Sequence, residues 1–308
     1  MMKKRKQTAA LLLVLVFAFV HGQVRAGDLP KPKVKWGISL ALWKDSFETG
    51  FQEVASLGLQ AVQPGMNVYE AYKNKPGELK SKLKKAGLKM PVFSGGQIDG
   101  DPAKRQAQIL ELTEIARFVK SAGGKYLQVG TRQRDAYPPG KDKLLQLAQA
   151  LSEIAEAVRK TGIKLLLHPQ MHQMCESPEE LKIVIDNTKP ELVGLVLDAG
   201  HFALAGGNPA EAVSLYKNRI KLVHIQDVVS PFPGHQGSKK SNYRFVEAGK
   251  GNKISWPDFF KAMKQNGFRG WCMIETDAPA DRKSTPKQIS QNSLGYLSQT
   301  FGYRFGKK

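Results

Sequence analysis

The chain has 308 residues, and 47 Lys and Arg against 27 Asp and Glu give it a formal net charge of +20. The composition is 41% apolar with ordinary numbers of Gly and Pro, which excludes a disordered or low-complexity chain. Two Cys are too few for a disulfide-stapled scaffold or a Cys-rich zinc module. The basic charge makes nucleic acid or an anionic surface the first partner to test.

The amino terminus carries part of this charge in a pattern typical of an export signal. Basic residues 3–6 precede about 12 apolar residues, the length of a signal-peptide core and short of the ~20 that span a membrane. Small residues predict cleavage after Ala26, with Gly22 as a weaker site and an uncleaved anchor as the alternative. We therefore expect a signal peptide over 1–26, one domain over 27–308, and an exported protein, periplasmic or secreted, without a membrane span.

The remaining charge is densest on one predicted helix. Leu79, Leu83 and Ala86 recur there at helical spacing, so the lysines between them cover the opposite, solvated side. These lysines are Lys80, Lys82, Lys84 and Lys85. No aromatic or glycine-rich element interleaves with them, and neither a helix-turn-helix nor a zinc finger is readable. The pattern predicts a solvated helix face and no nucleic-acid partner.

Short β-branched runs alternate with amphipathic stretches along the chain. The predicted strands occupy residues 34–40, 60–63, 89–94, 126–129, 164–168, 193–198, 220–226 and 271–275. The helices that follow them occupy residues 46–57, 76–86, 102–122, 141–161, 177–187, 209–217, 255–265 and 286–297. Eight such units predict a single-domain (β/α)8 TIM barrel, an α/β fold. The rival, an open doubly wound sheet, usually has a glycine-rich turn after its first strand, and Ser39-Leu-Ala-Leu-Trp43 contains no glycine.

Four consecutive predicted strands, the fifth to the eighth, each end in a side chain that can bind a metal ion. These side chains belong to His168, Asp198, His224 and Glu275. Because the catalytic groups of TIM barrels lie at the carboxyl ends of the strands, we expect the four to converge in a metal or polar catalytic centre. Two imidazoles and two carboxylates suit Mn²⁺, Co²⁺, Fe²⁺ or Zn²⁺ better than Ca²⁺ or Mg²⁺.

Three further residues near these strand ends are candidates for the same centre. His201 lies three residues after Asp198, where it can act as an acid or orient substrate; a solvated loop histidine is the alternative. Asp227 can accept a hydrogen bond from the ring nitrogen of His224 or His201 that does not bind the metal, or it can simply cap its loop. Gln170 follows His168 by two residues and is placed in the same supporting role.

Other loop residues are candidates for binding substrate. Trp43 and Phe202 offer ring faces on which a sugar can stack, although packing within the loops explains each of them equally well. Arg132, after the fourth strand, can bind an anionic group, with surface solvation as the alternative. The long insertion 228–254 has the length of a lid or a subunit contact, so a homo-oligomer stays open. Cys272 is expected to face the helices, which excludes a disulfide with the other cysteine.

Three segments near the later strands carry a family resemblance. Leu197-Asp-Ala-Gly-His201, Val223-His-Ile-Gln-Asp227 and Gly270-Trp-Cys-Met-Ile-Glu275 resemble the xylose isomerase-like TIM-barrel family of sugar phosphate isomerases and epimerases. His168-Pro169 looks more like the inosose dehydratases of that family. The resemblance implies one divalent metal ion, most often Mn²⁺ or Co²⁺, that holds oxygens of a small carbohydrate. The ligands implied by position are His168, Asp198, His224 and Glu275.

The chain also departs from the family pattern. The family's epimerases use glutamates from the fifth and eighth strands, whereas the fifth strand here ends in His168 and the second in Gln63. With Glu275 or His201 left to move a proton, the resemblance favours lyase or dehydratase chemistry on a keto-sugar or keto-inositol, through a metal-stabilised enediolate, over two-base epimerisation. The alternative is a carbohydrate-binding barrel that has lost activity. Endonuclease-type chemistry would need more metal ligands than the six histidines allow.

Overall fold

Eight parallel strands alternate with helices and curl into a barrel, which confirms the predicted fold class. The computed structural model describes residues 29–135, 138–232, 242–276 and 283–306, so the predicted signal peptide lies outside the described residues. The barrel strands are β1 (Lys35–Ser39), β2 (Ala61–Gln63), β3 (Val92–Ile98), β4 (Tyr126–Thr131), β5 (Lys164–Leu167), β6 (Val193–Asp198), β7 (Ile220–Ile225) and β10 (Trp271–Ile274).

Backbone hydrogen bonds run almost completely around the barrel. The strand order is β2-β1-β10-β7-β6-β5-β4-β3, which leaves β2 and β3 as the two ends of the sheet. These ends meet just before β3, where the Val62 amide donates to the Lys89 carbonyl at 2.9 Å and the Lys89 amide to the Gln60 carbonyl at 3.0 Å. The closure leaves all eight strands with their carboxyl ends at one mouth.

The helices form a layer outside the strands. They are α1 (Phe47–Ser56), α2 (Met66–Tyr72), α3 (Pro76–Lys85), α4 (Arg105–Ser121), α5 (Lys141–Arg159), α6 (Pro178–Asp186), α7 (Ala199–Leu204), α8 (Pro209–Leu215), α9 (Trp256–Gln265) and α10 (Pro286–Phe301). Two of them, α2 and α7, lie in segments predicted as loops. Helix α7 forms because the carboxylate of Asp198 accepts a hydrogen bond from the His201 amide at 2.8 Å and caps the first turn.

Apolar side chains form two layers. One fills the inside of the barrel, and the other lies between the strands and the helices. The inner layer consists of Ala61, Val92, Leu166, Val196, Leu222 and Met273. A much larger layer lies between strands and helices and includes Cys272, as expected. Both Cys175 and Cys272 are buried and unpaired, so the expected absence of a disulfide between them is confirmed.

The charged helix and the long insertion also take defined forms. On α3, Leu79 and Leu83 are buried while the lysines point to solvent, which confirms the predicted solvated face. Part of the insertion forms an antiparallel hairpin of β8 (Asp227–Val229) and β9 (Arg244–Val246), which was not predicted. Within the described ranges, no helix is both long enough and apolar enough to cross a membrane.

Candidate active site

Each barrel strand presents one polar side chain to the barrel axis at its carboxyl end. We call this set the polar ring, and its members are Ser39, Gln63, Ser94, Gln128, His168, Asp198, His224 and Glu275. The ring lies one layer above the apolar interior, because strand residues two apart share a face: Val196 precedes Asp198, and Leu222 precedes His224. The alternation that fills the barrel therefore also assembles the ring.

Asp198 lies among three imidazoles. Its Oδ2 is 3.2 Å from His224 Nδ1 and 3.6 Å from His168 Nε2, and its Oδ1 accepts from the backbone of His201. His224 Nδ1 is also 3.0 Å from Oε2 of Glu275. The structure thus brings together the four residues predicted as ligands and adds His201, whose ligand atom lies within 4.8 Å of those of His168 and Asp198.

The donor set at this centre fits a divalent cation. Glu275 Oε2 is buried and makes no well-aligned hydrogen bond within the described part of the chain, although His224 Nδ1 lies 3.0 Å from it. Buried polar atoms are nearly always hydrogen-bonded, so a buried carboxylate oxygen in this state, close to a second buried carboxylate, indicates a cation. Imidazole nitrogen and carboxylate oxygen are the donors that Zn²⁺, Mn²⁺, Co²⁺ and Fe²⁺ accept.

Burial and charge set the protonation of these groups. Burial lowers the pKa of His168 to about 4 and that of His201 to about 4, so both imidazoles are neutral near pH 7. Burial opposes ionisation of Asp198, yet the surrounding imidazoles hold the pKa of its carboxyl well below the usual value. For His224, burial acts against the charged form, but Glu275 and Asp198 raise its pKa. Burial raises the pKa of Glu275.

A cavity of about 400 Å³ opens above the polar ring at the mouth of the barrel. His168, Gln170 and Glu275 form part of its floor, while Lys44 and Asn67 line its side. This lining offers donors and acceptors rather than a cluster of cations, so it suits a small polyhydroxylated molecule.

Several polar residues at this site were not predicted from the sequence. Ser94, Gln128 and Gln173 were not singled out, and Gln63 was noted only as a departure from the family pattern. The alternation of side chains along a strand could have identified Ser94 and Gln128. Each lies two residues after an inward-facing apolar or aromatic residue of its strand and therefore faces inward as well. Gln173 lies in a loop, where no periodicity points to it.

Two aromatic residues predicted to bind substrate lie elsewhere, and these predictions are corrected. Trp43 is 1% exposed, and its indole donates to Glu53 of α1 at 2.7 Å. Phe202 is 7% exposed and packs in the layer between strands and helices, close to Gly207. Each of these two residues lies on a short helix directly after its strand, and the side chains on one side of such a helix face the core.

Three polar predictions have different outcomes. Gln170 lies where it was placed, with Nε2 3.1 Å from His168 Nδ1. Asp227 bonds neither His224 nor His201; it accepts from the Val228 and Gly249 amides and from the Trp256 indole, so the expected support of a histidine is corrected to its alternative, a loop cap. Arg132 is half-exposed at the rim and paired with two aspartates, Asp99 and Asp135, and its anion-binding role stays a prediction.

Sequence comparisons give relatives over most of the chain. A family model described as xylose isomerase-like TIM barrel matches residues 51–300. An inosose dehydratase of Mesomycoplasma hyopneumoniae is 26% identical over 293 residues, which cover 86% of this chain and 95% of that protein. An inosose dehydratase of Geobacillus kaustophilus is 24% identical over 245 residues, covering 73% and 78% of the two chains.

Solved structures resemble the barrel as a whole. The IolI protein, solved with a bound zinc atom, has a TM-score of 0.73 at 18% identity and covers 89% of this chain and 100% of its own. The probable 3-DHS dehydratase AsbF of Bacillus anthracis has a TM-score of 0.70 at 13% identity, over 86% and 99% of the two chains. At these identities the likeness concerns the fold.

Proposed function

Because this chain belongs to the xylose isomerase-like TIM barrel family, we propose that it is a metal-dependent lyase of the dehydratase type acting on a keto-inositol or keto-sugar. It is an enzyme of the sugar phosphate isomerase/epimerase kind. The observation that carries the proposal is the make-up of the polar ring, whose only carboxylates are Asp198 and Glu275. Asp198 is surrounded by imidazole and amide donors, so one carboxylate is left to accept a proton.

The metal would be held by residues already in place. Asp198 and Glu275 each lie close to His224 Nδ1, and ligand atoms of His168 and His201 lie within 4.8 Å of one of Asp198. When bound, a divalent cation supplies Lewis-acid polarisation of a carbonyl oxygen and stabilises charge that develops on it. Support for this role comes from the donor set and from the buried Glu275 oxygen that makes no well-aligned hydrogen bond, and the identity of the ion is left to the experiment below.

Glu275 can carry out the proton transfers of a dehydration, with His201 as a hydrogen-bond donor. Glu275 takes the proton from the carbon next to the carbonyl, and the electron pair of that C–H bond becomes part of a new C=C bond. The hydroxyl on the next carbon leaves and takes this proton back from Glu275, so it departs as water, while the neutral His201 can donate a hydrogen bond to the leaving oxygen. The raised pKa of Glu275 suits a base that must accept a proton near neutral pH. His201 accepts the Met171 amide at Nδ1, which leaves its N–H at Nε2.

Two-base epimerisation is less well supported by the same ring. It requires a second base on the opposite face of the substrate, and the candidate positions at the ends of β2 and β5 carry Gln63 and His168. Burial lowers the pKa of His168 to about 4, so it is a poor proton acceptor. A dehydration needs only one group that accepts a proton and returns it, and Glu275 of the ring supplies that group.

The test combines metal analysis with proton exchange. We expect the purified protein to contain one divalent ion per chain and, in D₂O, to exchange one C–H next to the carbonyl of a keto-inositol or 3-keto-glycoside before water is lost. Replacing Glu275 by Gln should slow the exchange at least ~100-fold, the usual contribution of a general base. Glu78→Gln, on the exposed face of α3, is the matched control and should leave the exchange unchanged.

Two outcomes would contradict the proposal. One is a metal-free protein whose exchange does not respond to Glu275→Gln. The other is sugar binding without exchange across the panel, which is the behaviour of a non-catalytic carbohydrate-binding barrel.

The proposal includes export of the enzyme, supported by the sequence pattern of residues 1–26. Mass spectrometry of the protein made in a bacterial host should find an amino terminus at Gly27. A chain that keeps residues 1–26 and stays in the cytoplasm would contradict this part of the proposal.

A further inference from the structure

A chain of side-chain amides with a fixed direction leads to His168. The Thr131 backbone amide donates to Gln173 Oε1 at 2.8 Å, and Gln173 Nε2 donates to Gln170 Oε1 at 2.6 Å. A backbone N–H can only donate, so it fixes the orientation of Gln173, which in turn fixes that of Gln170. Gln170 Nε2 lies 3.1 Å from His168 Nδ1 and therefore donates to it.

A second arm reaches the same nitrogen from the other side of the ring. Gln128 Nε2 lies 2.9 Å from His168 Nδ1, and Gln128 Oε1 accepts from Gln63 Nε2 at 3.2 Å. Gln63 Oε1 then faces His224 Nε2 at 3.0 Å. An amide oxygen can only accept, so His224 carries a hydrogen at Nε2. Gln63 is 2% exposed and Gln128 6%, so water does not compete with these contacts.

The two arms decide where each imidazole has its lone pair. A neutral imidazole has one N–H and one lone pair, and only the lone pair binds a metal. His168 accepts at Nδ1, so its hydrogen is at Nε2, which faces Asp198 Oδ2 at 3.6 Å. His201 accepts the Met171 amide at Nδ1 in the same way. His224 differs: its Nε2 donates to Gln63, and its Nδ1 lies 3.2 Å from Asp198 Oδ2 and 3.0 Å from Glu275 Oε2. Carboxylates only accept, so Nδ1 also carries a hydrogen in the metal-free protein, and a bound metal ion would take the place of that hydrogen.

We propose that four glutamines are positioning residues that set the hydrogen-bond direction of two buried histidines, His168 and His224. They are Gln63, Gln128, Gln170 and Gln173. With these contacts, His224 would bind the metal through Nδ1, while His168 has its hydrogen at Nε2 and does not bind the metal. His201 also has its hydrogen at Nε2, because its Nδ1 accepts from the Met171 amide. The inference rests on the proposed metal site and changes the ligand set that the resemblance implies, because His168 leaves it.

The first experiment locates the hydrogens directly. The protein is labelled with ¹⁵N-histidine, and long-range ¹H–¹⁵N spectra are recorded without metal and with one equivalent of Zn²⁺, with single-histidine variants for assignment. We expect His168 to have its hydrogen at Nε2 in both spectra, and Zn²⁺ to shift Nδ1 of His224. A hydrogen at His168 Nδ1, or Zn²⁺ bound at His168 Nε2, overturns the inference. The metal-free spectrum tests the amide chain even if the metal proposal fails.

The second experiment compares matched variants by calorimetric Zn²⁺ titration. His168→Gln keeps an amide N–H near the position of Nε2 but offers no imidazole lone pair, so the Kd should rise at most ~100-fold, the upper cost of losing a residue that supports a ligand. His224→Gln removes a ligand and should raise the Kd more than ~100-fold. Thermal unfolding verifies that both variants fold. Equal losses of affinity in the two variants overturn the inference.

The third experiment reverses one contact. A carboxylate accepts but does not donate, so Gln128→Glu sets an acceptor against the Gln170 donor at His168 Nδ1 and should place a hydrogen on that nitrogen in part of the molecules in the metal-free spectrum. Gln60→Glu, an exposed position just before β2, is the control and should leave the His168 signals unchanged. A His168 spectrum that is the same in Gln128→Glu and the unsubstituted protein overturns the role given to Gln128.

Discussion

Individual residues of the site owe their charge states to where the barrel places them. His168 and His201 are chemically ordinary imidazoles, but burial lowers the pKa of His168 to about 4 and that of His201 to about 4. Burial raises the pKa of Glu275, because it destabilises the charged form of any group, which is the protonated form of histidine but the deprotonated form of glutamate. One site therefore holds neutral imidazoles beside a carboxylate with a raised pKa.

The lowered pKa values predict a loss of stability in acid. Between about pH 6.5 and 4 the unfolded chain binds protons at both histidines and the folded chain does not, so stability is complete above this range and falls as the pH is lowered. Each histidine contributes up to about 1.4 kcal/mol per pH unit to the slope of the unfolding free energy. Urea unfolding of the metal-free protein at pH 7, 6 and 5 measures it.

Variants separate this contribution from other titrating groups. His201→Asn should flatten the pH dependence, because it removes one of the two imidazoles whose pKa burial lowers. A slope that is the same in His201→Asn and the unsubstituted protein would show that the imidazole is not held neutral by the fold.

Among the secondary-structure elements, α6 connects the outer layer to the polar ring. Ser177 and Glu180 form a capping box at its amino end, in which the hydroxyl accepts from the Glu180 amide and the carboxylate from the Ser177 amide. Glu180 also pairs with Arg134, whose guanidinium donates to the Gln173 carbonyl at 2.7 Å. The start of α6 thus supports the loop that carries Gln170 and Gln173.

The capping box predicts a measurable cost for a small change. Ser177→Ala removes the acceptor for the Glu180 amide and should lower the free energy of unfolding by about 1 kcal/mol. Ser177→Asp keeps an acceptor at the same position and should stay close to the unsubstituted protein. Chemical denaturation of both variants provides the measurement, and equal stability of the two would contradict the cap.

The whole molecule depends on how closely the strands fill the barrel. Gly37 of β1 has no side chain, and a Cβ there would lie 2.5 Å from Met273 Sδ and 2.8 Å from the Ala61 carbonyl. This close approach lets β1 pack against β2 and β10 beneath the polar ring. The width of the ring, and with it the distances between the site residues, follows from the size of the interior side chains.

Adding one methyl group inside the barrel should therefore destabilise it. Gly37→Ala forces Met273 or the strand backbone to move and should cost about 1–3 kcal/mol of unfolding free energy. Gly77→Ala, in α3 with no atom within 4 Å of the new Cβ, is the matched control and should stabilise by about 0.4–1 kcal/mol. If thermal unfolding shows no difference between the two variants, the barrel is less closely packed than described.

Much of the architecture could be predicted from the sequence, because strands and helices depend on local periodicity. The eight strand–helix units lie within a few residues of their predicted bounds, and Pro near the start of a helix was a reliable marker. The charged face of α3 and the unpaired cysteines followed from the same periodicity. The placement of His168, Asp198, His224 and Glu275 at one mouth was also predictable, because parallel strands end together.

The sequence by itself determined the order of the elements and which side chains end each strand. Only the tertiary structure decided how these side chains meet, since the contact that orients His224 joins it to Gln63, 161 residues away. Likewise, Trp43 and Phe202 lie in the core because short helices turn them inward. Hydrophobic periodicity is a property of neighbours in the chain, whereas hydrogen-bond direction depends on donors and acceptors that folding alone brings into contact.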